Sequence, residues 1–221
     1  MSRPRHGYTN ATTRRGQGIV QKQYEGFEAR GRSEREYRCL THLADLLPLP
    51  DVVAQDVSGP ILTLREVPGM HGQDVIEAGG AGEVLQLLGA LLVRLQGIEN
   101  TAVPGLAGVG TVIVHGDFGP QNVLIDNGQV SALLDWEFAH LGQPVEDLAW
   151  AEWIVRMHHP DHRDALPELF EAAQLDAAWA DRQAAMVDRC IELVSQMESV
   201  GSRGALDLWR ERLRVTESWS E

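Results

Sequence analysis

The apolar positions change rhythm along the chain, and the changes mark out its elements. Residues 7–24 read as two short β segments, GYTNATT and IVQKQY, around the turn-forming RRGQG. The second segment sets Ile19, Gln21 and Gln23 against Val20, Lys22 and Tyr24, with no clean apolar side. Over 28–47 the spacing becomes helical, with Tyr37, Leu40, Leu43 and Leu47 in register, and Pro48 and Pro50 predict the stop. DVVAQDVSGPILTLREVPG returns to strand character as a hairpin turning at Ser58-Gly59-Pro60, and Pro68-Gly69 ends it. The glycine-rich, polar stretch 69–82 reads as a connection. Val84, Leu87, Leu88, Leu91, Leu92 and Leu95 then form the stripe of an amphipathic helix, a core face. TVIV predicts a short strand, HGDFGPQN a loop, and VLI and VSALL two strands joined through Asp126-Asn127-Gly128. From 145 onward the spacing is helical, with breaks at His159-Pro160-Asp161 and 201–204.

This order predicts an α+β protein of two lobes. A small β-rich lobe spans 1–69, and a mostly helical lobe carrying one hairpin spans 70–221. No repeat or low-complexity tract interrupts them.

Composition adds little and excludes some classes. With 221 residues, 43% hydrophobic and 23% charged, the chain has enough apolar material for a sizeable core. It contains no apolar run of about 18 residues, so no membrane span is expected. MSRPRHGYTN has no apolar stretch behind its basic residues, so a cytoplasmic location is expected rather than secretion. Cys39 and Cys190, far apart in helix-like segments, read as free buried thiols. A net charge of −13 argues against a nucleic-acid partner and is compatible with a cationic substrate. Oligomeric state is not legible. One imbalance matters more: eighteen of the nineteen basic residues are arginine, and Lys22 alone is lysine. Arginine and lysine differ in shape and hydration, so a lone lysine on a predicted strand marks a place that needs the compact ammonium.

The residues with chemistry cluster around the second hairpin. His115-Gly116-Asp117 is followed five positions on by Asn122, and Asp135 ends the returning strand in Leu134-Asp135-Trp136-Glu137. A loop carboxylate, an amide and a second carboxylate around one hairpin are what phosphoryl transfer needs. Asp117 is the candidate base, and Asn122 and Asp135 are hard-oxygen candidates for magnesium.

The spacing matches the kinase catalytic loop, with glycine in place of arginine and Asp-Trp-Glu in place of Asp-Phe-Gly. In that form VHGDFGPQNVLID and ALLDWEFAHLGQPVEDLAW closely resemble the two signature segments of the aminoglycoside phosphotransferase family. The resemblance covers roughly 7–155. It implies a bilobal protein-kinase-like fold, ATP or GTP in the cleft, Mg2+ ions across its phosphates, and a small-molecule hydroxyl as acceptor. Lys22 then matches the phosphate-holding lysine and Glu36 the helix glutamate that positions it, with Glu34 as the rival. Gly7 and Thr9, in Gly7-Tyr8-Thr9-Asn10, resemble the loop over the phosphates, and Glu66 and Val67 the hinge that meets the purine. The chain begins almost at the phosphate loop, so the family's first strand is expected to be short or missing.

Other groups have plainer readings. His115 is expected to brace the loop and Asp147 to anchor the fold beneath it. His158, His159 and His162 with Asp161 read as a polar loop rather than a zinc site, because no cysteine or further ligand accompanies them. Glu152 and Glu198 lie on helices of the substrate half, as contacts to a cationic acceptor or as ordinary solvated faces. Acceptors of three kinds remain open: aminoglycosides, amino alcohols and sugars. A catalytically inactive nucleotide-binding protein is the alternative. A protein kinase ranks lower, because nothing resembles an activation segment after Asp135.

Overall fold

The computed structural model describes residues 10–56 and 58–221. Four antiparallel strands form the N-terminal sheet: β1 (Asn10–Gly16), β2 (Ile19–Tyr24), β3 (Val52–Asp56) and β4 (Ile61–Arg65), in the order β1-β2-β4-β3. The β1–β2 hairpin turns through Gln17 and Gly18 at φ 52° and 70°, a two-residue turn whose twist suits antiparallel strands. Lys22 pairs with Leu62 in the middle of this sheet. Its side chain points towards helix α1 (Ala29–His42).

Helix α1 stops at His42, short of the 47 that apolar spacing predicts. The Leu43 carbonyl accepts from the N–H groups of Leu46 and Leu47, both at 3.0 Å. That turn delivers Leu43 and Leu47 to the core by a route other than helical periodicity. Pro48 then keeps the chain from re-entering a helix.

The expected connection over 69–82 contains regular structure. Strand β5 (Met70–His71) leads into a short helix, α2 (Gly72–Glu77). Glycine weighs against a helix, which hides α2 in the sequence. Gly72 is required by packing: a Cβ there would stand 2.8 Å from Val123 Cγ2 and 2.9 Å from the Pro120 carbonyl. Helix α2 therefore lies directly against the segment around Asn122. Helix α3 (Ala81–Gln96) buries Val84, Leu88, Leu91, Leu92 and Leu95.

Strand β6 (Val112–Val114) pairs with β9 (His140–Gly142), while β7 (Val123–Asp126) and β8 (Gln129–Leu133) extend β5 into a three-stranded sheet, β5-β7-β8. Asn127 and Gly128, at φ 50° and 72°, close the β7–β8 hairpin. Four helices complete the C-terminal part: α4 (Val145–His158), α5 (Leu166–Ala173), α6 (Trp179–Ser199) and α7 (Arg203–Glu217). A second apolar cluster, with Trp150, Trp153, Met186 and Cys190 at its centre and Trp209 against it, joins α4, α6 and α7. Cys39 and Cys190 are both free and buried. Among the described residues no helix is long and apolar enough to cross a membrane. The architecture is α+β and bilobal, with a sheet-based N-terminal part and a helical C-terminal part that carries the hairpin.

Candidate active site

Strand β2 sends Lys22 into the interior, where 9% of its side chain is exposed. Its Nζ lies 2.6 Å from Glu36 Oε2, 2.6 Å from Asp135 Oδ1 and 3.8 Å from Glu137 Oε2. Burial pulls the ammonium's pKa down, but the charges of Asp135, Glu36 and Glu137 more than reverse this and leave it raised. Burial likewise pushes the Glu36 carboxyl up, while Lys22 pulls it back. Lys22 Nζ at 2.6 Å favours the ionised carboxylate against that rise. Tyr24 Oη donates to the same Glu36 oxygen at 2.6 Å, fixing its position. Of the two glutamates on α1, Glu36 is therefore the one that meets Lys22.

The loop after β6 is held from below. Asp147, in the first turn of α4, accepts the backbone N–H of His115 at 2.7 Å and of Gly116 at 3.0 Å. Burial pushes its pKa up to about 6, and those two hydrogen bonds act against the shift. His115 is fully buried, edge-on to Trp136 with centroids 4.7 Å apart. Its Nε2 donates to the Leu134 carbonyl at 2.8 Å, and its Nδ1 accepts the Asp117 N–H at 3.2 Å. Burial lowers its pKa to about 4, so it is a neutral brace at physiological pH. Gly116 adopts φ 81°, and a Cβ there would run into the Phe138 carbonyl oxygen. That contact explains glycine in this position.

Asp117 is partly buried at the floor of the loop. Its Oδ2 accepts Asn122 Nδ2 at 2.8 Å, and its Oδ1 accepts Trp150 Nε1 at 2.9 Å and, more weakly, Gln121 Nε2 at 3.3 Å. Burial, followed by the negative charge of Asp135, pushes its pKa up to about 6 against those donors and Arg189. Asn122 also gives its amide N–H to the Asp117 carbonyl at 2.8 Å. These bonds use Nδ2 and leave Oδ1 as a hard oxygen donor. The Leu134 N–H reaches the Asn122 carbonyl at 2.8 Å, which brings Asp135 alongside Asn122. Asp135 itself sits at φ 67°, ψ 61° with 28% of its side chain exposed. An amide oxygen and a partly exposed carboxylate suit magnesium. Glu36, Asp135 and Glu137 also offer oxygens within 4.8 Å of one another, but Lys22 Nζ already occupies that cluster as its cation.

Two groups were missed by sequence reasoning. Glu137, 1% exposed, takes Arg32 Nη1 at 2.9 Å and Asn10 Nδ2 at 2.7 Å on its Oε2. Arg35 donates to the Glu137 carbonyl as well. Arg32 stands one helical turn before Glu36, so a single face of α1 supplies both contacts. The i, i+4 spacing of Arg32 and Glu36 was the available signal. Trp150, for which the sequence offers no local signal, was the second.

Some expected residues lie elsewhere. Gly7 and Thr9 fall outside the described residues, as does any strand before them. The Glu66 N–H is taken by the Gly18 carbonyl at 2.7 Å and its carboxylate by Arg14 at 2.6 Å, whereas Val67, on the irregular stretch after β4, has no hydrogen bond among the described residues. Glu152 corrects the expectation of either a substrate contact or a solvated face. It is completely buried, with one oxygen on Arg156 and the other on Arg182, both at 2.8 Å. It stands two residues after Trp150, about 200° around the helix, and so points away from Asp117. Glu198 forms an exposed pair with Arg210 at 2.7 Å. It lies roughly 13 Å along α6 from Arg189, whose guanidinium is 5.9 Å from the Trp150 ring. Neither glutamate joins the Asp117 cluster. His158, His159 and His162 take no part in a metal-ligand grouping among the described residues.

Comparison with known proteins gives a consistent picture. Residues 1–111 and 102–185 match the model of the phosphotransferase enzyme family. Over 49 residues the chain is 41% identical to hygromycin-B 4-O-kinase of Escherichia coli, a match covering 20% of this chain and 14% of that relative. Among solved structures, the GDP and kanamycin complex of APH(2")-IIia superposes with a TM-score of 0.76 at 11% identity, covering 97% of this chain and 92% of that one. A choline/ethanolamine kinase family protein from Mesorhizobium loti gives 0.70 at 14% identity, covering 96% and 86%. At these identities the structural likeness establishes the fold, which is protein-kinase-like.

Proposed function

Because this chain belongs to the phosphotransferase enzyme family, we propose that it moves the γ-phosphate of ATP or GTP to a hydroxyl of a small molecule. The observation that carries the reading is Lys22, whose Nζ joins Glu36 of the N-terminal part and Asp135 of the C-terminal hairpin at 2.6 Å each. A cation tied to both halves beside a loop aspartate suits triphosphate chemistry.

In this reading residues 1–69 hold the nucleotide and 70–221 carry the acceptor. Val67, whose backbone has no hydrogen bond among the described residues, meets the purine together with the carbonyl of Glu66. Lys22, kept in place by Glu36 and Tyr24, draws the phosphate oxygens into the cleft. Asn122 Oδ1 and the Asp135 carboxylate would hold magnesium, which supplies charge neutralisation across the phosphates. Asp117 accepts the acceptor's hydroxyl proton as the new O–P bond forms and the bond to the nucleoside diphosphate breaks. Its raised pKa places the carboxylate near the working range of a general base. Neutral His115 and the Asp147 carboxylate hold the loop and take no part in the transfer itself.

The acceptor is an aminoglycoside, an amino alcohol or a sugar. Mass spectrometry of such a panel after incubation with magnesium and ATP or GTP tests the reading. One acceptor class gaining a single phosphoryl group supports it. Nucleotide binding with no acceptor modified supports an inactive nucleotide-binding protein instead.

A further inference from the structure

Asp117 has a fixed donor on each carboxylate oxygen. Asn122 fills Oδ2 from within the same loop, whereas the short bond to Oδ1, at 2.9 Å, comes from Trp150 in the second turn of a different element, α4, with Gln121 of the loop only at 3.3 Å. A carboxylate turns readily about its terminal torsion, whose wells are broad. One donor leaves that rotation partly open. A second, aimed at the other oxygen, closes it.

Trp150 is itself locked in place. Its ring lies flat on Trp153, with centroids 4.4 Å apart and planes within 4°. Trp153 donates Nε1 to Thr216 Oγ1 of α7 at 2.8 Å. Trp209, also on α7, stacks on Trp153 at 5.7 Å and on Trp150 at 6.4 Å. Only 5% of Trp150 and 1% of Trp153 is exposed. The indole N–H therefore cannot swing away from Asp117 without disrupting a three-ring stack that α4 and α7 share.

We propose that Trp150 is a positioning residue for phosphoryl transfer, its indole N–H setting the orientation of the Asp117 carboxylate and the α4–α7 tryptophan stack setting the indole. The proposal rests on the reading of Asp117 as the acceptor's base. The chemistry suits the task. An indole nitrogen only donates, so it neither takes a proton from the acceptor nor neutralises the carboxylate as arginine would. A hydrogen bond to a charged oxygen is short and directional, and with Trp150 and the weaker Gln121 contact on Oδ1, the lone pair left for the acceptor hydroxyl is the one on Oδ2 beside Asn122. Misplacing a reacting group by about 1 Å reduces rate by roughly 10²-fold, so the geometry has a kinetic signature.

The test is Trp150→Phe, which retains a flat ring for the stack and deletes the donor, with Trp209→Ala as a second variant that loosens the stack and leaves the N–H. Trp150→Phe is expected to lower kcat by about tenfold or more while KM for nucleotide and acceptor stays within about twofold. Trp209→Ala is expected to lower kcat less, again without a change in KM. A merely structural role would not produce this split. Independently of turnover, the Trp150 indole resonance in a 15N–1H spectrum is expected to shift in Asp117→Ala, with that of Trp153 unmoved. A folded Trp150→Phe enzyme with kcat within twofold of wild type would overturn the proposal, as would a Trp150 resonance indifferent to Asp117→Ala. Should wild type modify no acceptor, that failure belongs to the phosphotransfer reading, and the resonance alone decides whether Trp150 holds Asp117.

Discussion

Arg32 Nη1 lies 2.9 Å from Glu137 Oε2, both side chains almost fully buried, and the pair ties helix α1 to the segment that carries Asp135. Arg32 is one turn before Glu36, and Glu137 is two residues after Asp135. One ion pair therefore fixes the relative position of the two carboxylates that grip Lys22. Removing one partner leaves the other's buried charge poorly compensated, at a cost of up to about 3–5 kcal/mol, whereas replacing both with apolar residues costs much less. In denaturant unfolding, Glu137→Leu and Arg32→Met are each expected to be strongly destabilising, and the double variant less so than their sum. Additive losses would remove this pair from the account.

Glu152 yields a contrasting expectation. It is buried between Arg156 and Arg182, so Glu152→Ala should lower stability by about 3 kcal/mol by removing the buried anion they share, with only the exposed Glu221 left as a carboxylate partner for Arg182. KM for the acceptor should not change in enzyme that remains folded. Thermal or urea unfolding beside steady-state kinetics checks both halves, and a selective rise in KM would return Glu152 to the substrate site.

The contrast shows which parts of the site the sequence made legible. Asp117, Asn122 and Asp135 were readable because a loop and one hairpin hold them at fixed spacing, so local order implies proximity. Lys22 stood out as the lone lysine, and Glu36 followed from the family resemblance, with Glu34 as the rival. Arg32 and Glu137 pair across 105 positions, and no local pattern encodes that meeting. Glu152 looked solvated because a charged helical residue usually is; its burial depends on Arg182, which a separate helix brings in. Helix α2 was hidden by glycines that packing demands, and Trp150 by the habit of aromatics to be core. The two-lobe α+β plan was legible throughout, since it needed only the switch in periodicity.

The raised pKa of Asp117 fixes a pH dependence. Burial above all moves it to about 6, and only the ionised form accepts a proton. Activity should therefore rise with pH through that midpoint and level off above it. Below it, kcat/KM should fall at least tenfold per pH unit, because Asp147, also pushed up to about 6, loses its charge over the same range. His115 is neutral across this range, because burial holds its pKa near 4, so it should add no second limb there. Initial rates at low acceptor concentration across the acid-to-neutral range check this. An acid limb with a midpoint near 4 would mean that the carboxylate is not desolvated.

Gly116 tests the packing under the loop. At φ 81°, with the Phe138 carbonyl where a Cβ would go, Gly116→Ala must shift the loop and disturb the two N–H groups that Asp147 accepts. A loss of stability of about 1–3 kcal/mol is expected from the backbone strain alone, with kcat reduced more than nucleotide affinity. A fully active, equally stable variant would show that the loop tolerates a side chain there.

The central claim is that Asp117 acts in transfer rather than in nucleotide binding. The most direct measurement compares wild type with Asp117→Ala for nucleotide affinity and for acceptor-dependent release of ADP or GDP in magnesium. The account predicts affinity within a few-fold of wild type and turnover reduced by about 10²–10⁴-fold. Acceptor-dependent turnover that survives Asp117→Ala undiminished would contradict it.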